Sequence, residues 1–396
     1  MTPTPDRLIA DRARAIDVSG IRRVFELGAS LKNPINLSIG QPDFPVPERI
    51  KAAARDAIDA DRNGYTLTTG MPELRARASE SLKTDLGWEI ATGDTGLLIT
   101  TGTSGALTLA MLSLLGPGDE IIVPDPYFVA YGPMATVAGG RAVPCDTYAT
   151  GFRMTAESVA PLITERTKAV LFNSPSNPAG VVANQDECRA MLELCRERGV
   201  VLISDEIYDE FTFSDFTTSH ASGDPSIARC PSPAREPGAE DTVLLVRGFG
   251  KTYGVTGWRM GYCAGPTWLI DEMAKIQQYT FVCAPSIAQA GCAAAFDVDM
   301  RPIVESYRVR RDRVLSTLGP HTEIETPGGA FYAFPKVPER LGLTGTQFVE
   351  RCIERGVLVI PGGVFSDRDT HFRLSFASPD EQLDRGLAIL AELLAG

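Results

Sequence analysis

Between residues 96 and 264 the chain alternates short apolar runs with stretches in which apolar residues recur every three or four positions. The runs GLLIT (96–100), EIIVP (120–124), KAVLFN (168–173), VVLISD (200–205), TVLLVR (242–247) and WRMGYCA (258–264) are predicted strands. They are apolar almost without interruption, as strands covered on both faces are, so the pattern predicts an α/β unit around a mostly parallel sheet. The helices between them show a buried stripe: Leu107, Ala110, Met111, Leu114 and Leu115 in one, Cys188, Met191, Leu192 and Cys195 in another.

After about residue 290 the rhythm changes to a long charged helix over 300–318, further short strands and a closing helix over 380–394, the pattern of a smaller α+β unit. The N-terminal segment carries SGIRRVFELGASL (19–31) as a helix and then the extended PINLSIGQPDFPVP, too little to bury a core alone. The expected division is therefore 1–45 joining a small domain, 46–290 as a large domain and 291–396 as the rest of the small one. From Ser214 to Glu240 the chain is rich in Ser, Pro, Gly and Asp and reads as a long surface loop, either an insertion or a lid.

Composition narrows the function classes. The 396 residues allow two or three domains of about 150 residues each, and 44% apolar with 22% charged residues excludes disordered and fibrous chains. A net charge of −12 opposes binding to nucleic-acid backbones or anionic membranes. The eight cysteines form no C-x-x-C pair and no zinc-like cluster with His220, His321 and His371, so reduced thiols and no metal are expected. The N-terminus has no apolar leader pattern, and the most apolar later stretch, 106–115, is about half the length of a membrane span. The expectation is a soluble cytoplasmic protein.

The sharpest chemical signal is RGFGKTYGVTGWRMGY (247–262), where Lys251 follows an apolar strand among Gly248, Gly250, Gly254 and Gly257. A Walker A loop would need glycine at position 245, which is Leu245, so that reading fails. A Schiff-base lysine remains, with Arg259 able to grip a phosphate. Such a site needs a carboxylate for a pyridinium nitrogen, and Asp205 ends a strand where ligands bind in open α/β sheets; a helix cap is the other reading. Tyr208 and Asn177 (in NSPSNPAG, 173–180) offer a phenol and an amide to a cofactor oxygen, or serve as turn and packing residues. In TTGTSGAL (100–107) a strand passes into a helix whose free N–H groups, with Thr103 and Ser104, suit a phosphate unless these two merely cap the helix. Phe128, in PDPYFVAY (124–131), offers a ring face to a flat cofactor or to the core. Arg373, in THFRLSFA (370–377), needs an anion: a substrate carboxylate or a structural salt bridge. Gly40 in LSIGQPDF and Tyr65 in GYTLTTGMPELR complete the candidates.

Eight motifs in order, SIGQPDF, GYTLTTGMPELR, TGTSGAL, PGDEIIVPDPYF, NSPSNPAG, SDEIY, GKTYGVTGWRMGY and FRLSFA, cover nearly the whole chain. Together they resemble the fold-type I pyridoxal-5′-phosphate enzymes of the class I/II aminotransferase family, which contains the aspartate and aromatic aminotransferases. The resemblance implies a large cofactor-binding domain with a smaller one formed by both termini. It implies Lys251 as the Schiff-base lysine, Asp205 at the pyridine nitrogen, Tyr208 and Asn177 at the ring hydroxyl oxygen, and Phe128 stacked on the ring. Thr103, Ser104 and Arg259 would hold the phosphate, Tyr65 would reach across from the second subunit of a homodimer, and Gly40, Asn177 and Arg373 would fix the substrate α-carboxylate. Many relatives carry S-F-S-K where this chain has Gly248-Phe249-Gly250-Lys251. The implied reaction is ping-pong transfer of an amino group from an L-amino acid, aspartate or aromatic, to a 2-oxo acid such as 2-oxoglutarate. A carbon–sulfur β-lyase of the same fold and a non-catalytic cofactor-binding regulator are the alternatives. A dicarboxylic substrate needs a second cation, for which Arg22 and Arg23 are candidates.

Overall fold

The computed structural model describes residues 8–18, 20, 31, 33–90, 95–217 and 229–396. The predicted helix at 19–31, with Arg22 and Arg23, falls largely outside them, as does 218–228 within the predicted loop.

The strands are β1 (Ile35–Asn36), β2 (Thr95–Thr100), β3 (Glu120–Asp125), β4 (Arg141–Asp146), β5 (Thr167–Asn173), β6 (Val201–Asp205), β7 (Val243–Gly248), β8 (Gly261–Pro266), β9 (Tyr332–Ala333), β10 (Val357–Leu358), β11 (Ile360–Pro361) and β12 (Phe372–Ser375). Among the described residues β2 to β8 form one sheet in the order β2-β8-β7-β6-β5-β3-β4. Neighbours from β7 to β4 run parallel, whereas β8 is antiparallel to both β7 and β2. Successive residues point to opposite faces: Leu97, Ile99, Leu202, Val243 and Leu245 enter one core, and Leu98, Ile203, Leu244 and Val246 the other. That is why these strands read as unbroken apolar runs.

One face carries α1 (Pro72–Leu86), and the helix α2 (Gly102–Leu114) lies on the other with α3 (Tyr131–Ala138). The predicted stripe of Cys188, Met191, Leu192 and Cys195 packs from α4 (Gln185–Arg198) onto the first face. Then come the short α5 (Phe249–Thr252), α6 (Thr267–Thr280) on the second face, α7 (Arg301–Leu318) and the closing α8 (Asp380–Ala395). A separate core gathers Val314 and Leu318 of α7, Leu383 and Leu390 of α8, Phe372 and Leu374, and also Ile35 and Leu37 from the N-terminal segment. The N-terminal segment reaches it by the parallel pairing of β1 with β10.

Three sequence expectations are corrected. β4 was not foreseen; its RAVPCD carries Pro144 and exposed charged ends, features tolerated because it is an edge strand. The last predicted strand of the sheet starts at Gly261, not Trp258, because Thr256–Trp258 form a 3₁₀ turn and Arg259 takes a left-handed φ of 54°. And the segment 229–239 is no surface loop: Arg229, Cys230, Ser232, Ala234 and Ala239 are buried.

Ala234 and Ala239 join the apolar core, and Arg229, Arg235 and Ser232 carry the partners of a charge cluster. Arg247 on β7 binds Asp85 at 2.7 Å and Glu206 at 2.9 Å, Arg235 binds Asp85 at 2.7 Å, and Arg229 binds Asp209 at 2.5 Å. Ser232 also donates to Glu206. Removing one charge strands its partners in a low-dielectric interior. Arg247→Met is therefore expected to cost about 3–5 kcal/mol in urea unfolding, and pairing it with Glu206→Gln should cost less than the sum of the two.

Candidate active site

A cavity of about 350 Å³ opens beyond the carboxyl ends of the parallel strands. Gly40, Thr103, Ser104, Phe128, Asn177, Asp205, Tyr208, Lys251, Arg259 and Arg373 all line it, so every described candidate but one converges on a single space. The exception is Tyr65, which is 89% exposed and does not line the cavity of its own chain.

Asp205 is the last residue of β6 and is buried, so it is a strand-end carboxylate and not a helix cap. Tyr131 donates to its Oδ2 at 2.7 Å and the Ile207 N–H to its Oδ1 at 3.3 Å, but among the described residues no cation pairs with it. Burial pushes its pKa up to about 6, only partly opposed by the Tyr131 hydrogen bond. A buried carboxylate held in this way has room for one cationic donor.

Lys251 sits on α5, directly after β7, and its amine donates to the Gly40 carbonyl. Burial pulls its pKa down to about 8, helped by the positive charges of Arg373 and Arg259. Such an amine spends an appreciable fraction of its time neutral and nucleophilic near pH 7.

The helix α2 begins at the cavity. Its N-cap, Thr101, makes no side-chain capping bond, so Thr103 and Ser104 are first-turn residues and not caps. The first-turn N–H groups lack intrahelical partners and carry the positive end of the helix dipole. Gly102 has φ +75°, and a Cβ there would lie 2.8 Å from Arg259 Nη2, so the glycine keeps a cradle open between amides and guanidinium. Of the two glycines before the lysine, one has a steric reason. A Cβ on Gly248 would meet Ile207 Cδ1 at 2.8 Å and Thr103 Cγ2 at 2.9 Å, so a serine there would require these side chains to shift, while at Gly250 the nearest atom would be 3.5 Å away and a Cβ has room.

Arg373, on β12, is buried, donating from Nη1 to Asn177 Oδ1 at 3.0 Å and from Nη2 to the Ser38 carbonyl at 2.9 Å. Its Nε has no partner, and among the described residues no carboxylate pairs with it, which removes the structural salt bridge as an explanation. Its guanidinium packs on the rings of Tyr332 at 4.5 Å and Phe365 at 4.8 Å.

Sequence reasoning missed Tyr131, Tyr332 and Ser38. Tyr131 was within reach, standing three residues after Phe128 in PDPYFVAY, with its ring edge-on to Phe128 at 5.6 Å. Tyr332 and Ser38 come from distant segments and carried no local signal.

The profile of the family "Aminotransferase class I and II" matches residues 32–390, and this protein belongs to that family. It is an enzyme of the aminotransferase class, on the fold-type I scaffold. A probable aspartate aminotransferase of Methanocaldococcus jannaschii is 34% identical, over 98% of this chain and 100% of its own. An aromatic-amino-acid aminotransferase of Thermococcus litoralis is 30% identical over 98% of both chains. The solved aspartate aminotransferase from Thermus thermophilus with maleate superposes with a TM-score of 0.87 at 33% identity, covering 97% of this chain and 99% of that one. Enzymes of this family depend in general on pyridoxal phosphate. Among the described residues no helix is long and apolar enough to cross a membrane.

Proposed function

We propose that the cavity binds pyridoxal 5′-phosphate and that the protein transfers amino groups between an L-amino acid, aspartate or an aromatic one, and 2-oxoglutarate. One observation carries this: a single cavity combines a buried carboxylate without a cation, a buried guanidinium without a carboxylate, and a lysine amine poised between its charge states. A flat cationic ring with a phosphate on one side and a substrate carboxylate nearby would satisfy all three.

In this reading Lys251 holds the cofactor covalently, Asp205 keeps the ring nitrogen protonated, and Tyr208 and Asn177 face the ring oxygen. Phe128 covers the ring, while Arg259, Thr103, Ser104 and the start of α2 hold the phosphate. The cofactor supplies the electron sink that makes the substrate Cα–H acidic. Arg373, fixed by Asn177 and Ser38, orients the α-carboxylate, with the bare backbone of Gly40 beside it. Lys251 Nζ, the one lysine amine lining the cavity among the described residues, would accept the proton from the substrate Cα and hold it on the ammonium.

The working form in this reading is a homodimer in the cytoplasm, with Tyr65 reaching the partner's phosphate site. Its support is a patch of exposed apolar residues: Tyr65, Leu67, Tyr279, Phe281 and Val282, joined by the bond from Gln277 Nε2 to the Thr68 carbonyl at 2.7 Å. The eight cysteines, none of them disulfide-bonded, suit a reducing compartment.

The test is an absorption spectrum of the protein loaded with pyridoxal phosphate. A visible band that bleaches on adding L-aspartate or an aromatic amino acid, and returns with 2-oxoglutarate, is the expected result. Ammonia and pyruvate formed from cystathionine without an acceptor would replace transamination by the lyase reading; a band that no amino acid bleaches would leave a binding protein.

A further inference from the structure

The mechanism above leaves Tyr332 without a task, yet four features of the site meet on it. Its ring supports the Arg373 guanidinium at 4.5 Å. Its hydroxyl accepts from the Tyr208 hydroxyl at 3.1 Å, the two rings standing edge to face. It lines the cavity while remaining 1% exposed. And a Cβ on Gly40 would lie 2.7 Å from its oxygen, so this glycine leaves the space that the hydroxyl fills.

A phenol has a single proton to donate. When Tyr208 turns that proton toward a cofactor oxygen, its own oxygen stays buried and must find another donor. The Tyr332 hydroxyl is in place to supply it, and the bond between the two phenols then reverses direction. A phenol that accepts a hydrogen bond is also a stronger donor, so the second phenol strengthens the first.

Resting on the pyridoxal phosphate reading, we propose that Tyr332 is a positioning residue with two separable parts: its hydroxyl donates to Tyr208 when the cofactor is bound, and its ring holds the Arg373 guanidinium flat for the substrate carboxylate. Tyr332 thereby links the cofactor's ring oxygen to the carboxylate clamp through one side chain.

The parts separate by substitution. Tyr332→Phe keeps the ring and removes the hydroxyl, leaving the nearby charges of Arg373, Asp205 and Lys251 in place. It is expected to move the pH midpoint of the loaded protein's visible absorbance upward by roughly 0.3–1 unit, because a weaker Tyr208 donor leaves the cofactor oxygen more basic. The KM for the amino acid should stay within about twofold. Tyr332→Leu removes the ring as well and should raise KM by about tenfold or more. In a Tyr208→Phe background, Tyr332→Phe should leave the midpoint where Tyr208→Phe alone puts it, a comparison internal to folded, loaded proteins.

An unmoved midpoint in Tyr332→Phe, with the wild type titrating normally, overturns the proposal. So does a KM rise equal to that of Tyr332→Leu, which would give the hydroxyl to the substrate. Failure of the wild type to acquire a visible band at all would instead overturn the cofactor reading beneath it.

Discussion

Lys251→Ala is expected to lower transamination between L-aspartate and 2-oxoglutarate by about 10⁴-fold or more, measured as initial rates. The argument is one of position and charge. The amine is buried beside the Gly40 carbonyl, and burial with two guanidinium neighbours brings its pKa to about 8. No other described lysine lines the cavity, so a truncated side chain has no substitute. Because the folded pKa lies below the usual lysine value, the reactive neutral form grows as pH rises through 8. Capture of pyridoxal phosphate by the cofactor-free protein should therefore accelerate with a midpoint near pH 8. Arg373→Ala removes a positive neighbour and should move that midpoint upward. Wild-type-like turnover by Lys251→Ala would end the assignment.

Asp205→Asn is expected to lower kcat by about 10³-fold, the scale of losing a preorganised charge at a developing one. The same substitution has a second, opposite consequence. Asp205 has its pKa raised to about 6, above its unfolded value, so the folded cofactor-free protein holds this proton more tightly than the unfolded chain does. Its contribution to stability is thus favourable at low pH and is lost as pH climbs from about 4 to about 6. Above that window an amide should be the better tenant, and Asp205→Asn should melt higher than wild type when both lack cofactor. Loading with pyridoxal phosphate should reverse the order. A variant within tenfold of wild-type kcat, or one that melts lower without cofactor, would sink this role for the carboxylate.

How much of this was legible beforehand depends on whether a residue's partner is near in sequence. The strands of the main sheet were legible because each carries its own signature, apolar on both faces. The site was legible in outline because Asp205 ends a strand and Lys251, Asn177 and the start of α2 follow one within four residues, where the local pattern announces the turn. β4 was lost to its proline, and Trp258 was assigned to a strand because a left-handed Arg259 leaves no trace in an apolar-looking run. The burial of 229–239 was invisible because its partners are set by the fold: Asp85 lies 150 residues from Arg235, and Asp209 is 20 residues from Arg229. Tyr332 and Ser38 belong to the same case: their meaning is set by Tyr208 and Arg373, brought to them only by the tertiary fold.

The reversed strand β8 governs the order in which this molecule is completed on the ribosome. Among the described residues β8 is the one strand that pairs with β2, and it ends at Pro266, so β2 has no strand neighbour until 166 residues beyond Thr100 have been made. Until then its backbone bonds within reach are those to the preceding segment, such as the Ile99 N–H to the Thr69 carbonyl at 3.1 Å. At bacterial-to-eukaryotic elongation speeds that interval is roughly 8–33 s. For that time the nascent chain displays an edge without a strand partner, apolar from Leu97 to Ile99, the kind of surface that holdase chaperones cover. Strands β3 to β6, in contrast, find their partners as they emerge, and the sheet grows inward from its β4 edge before its first strand is sealed in.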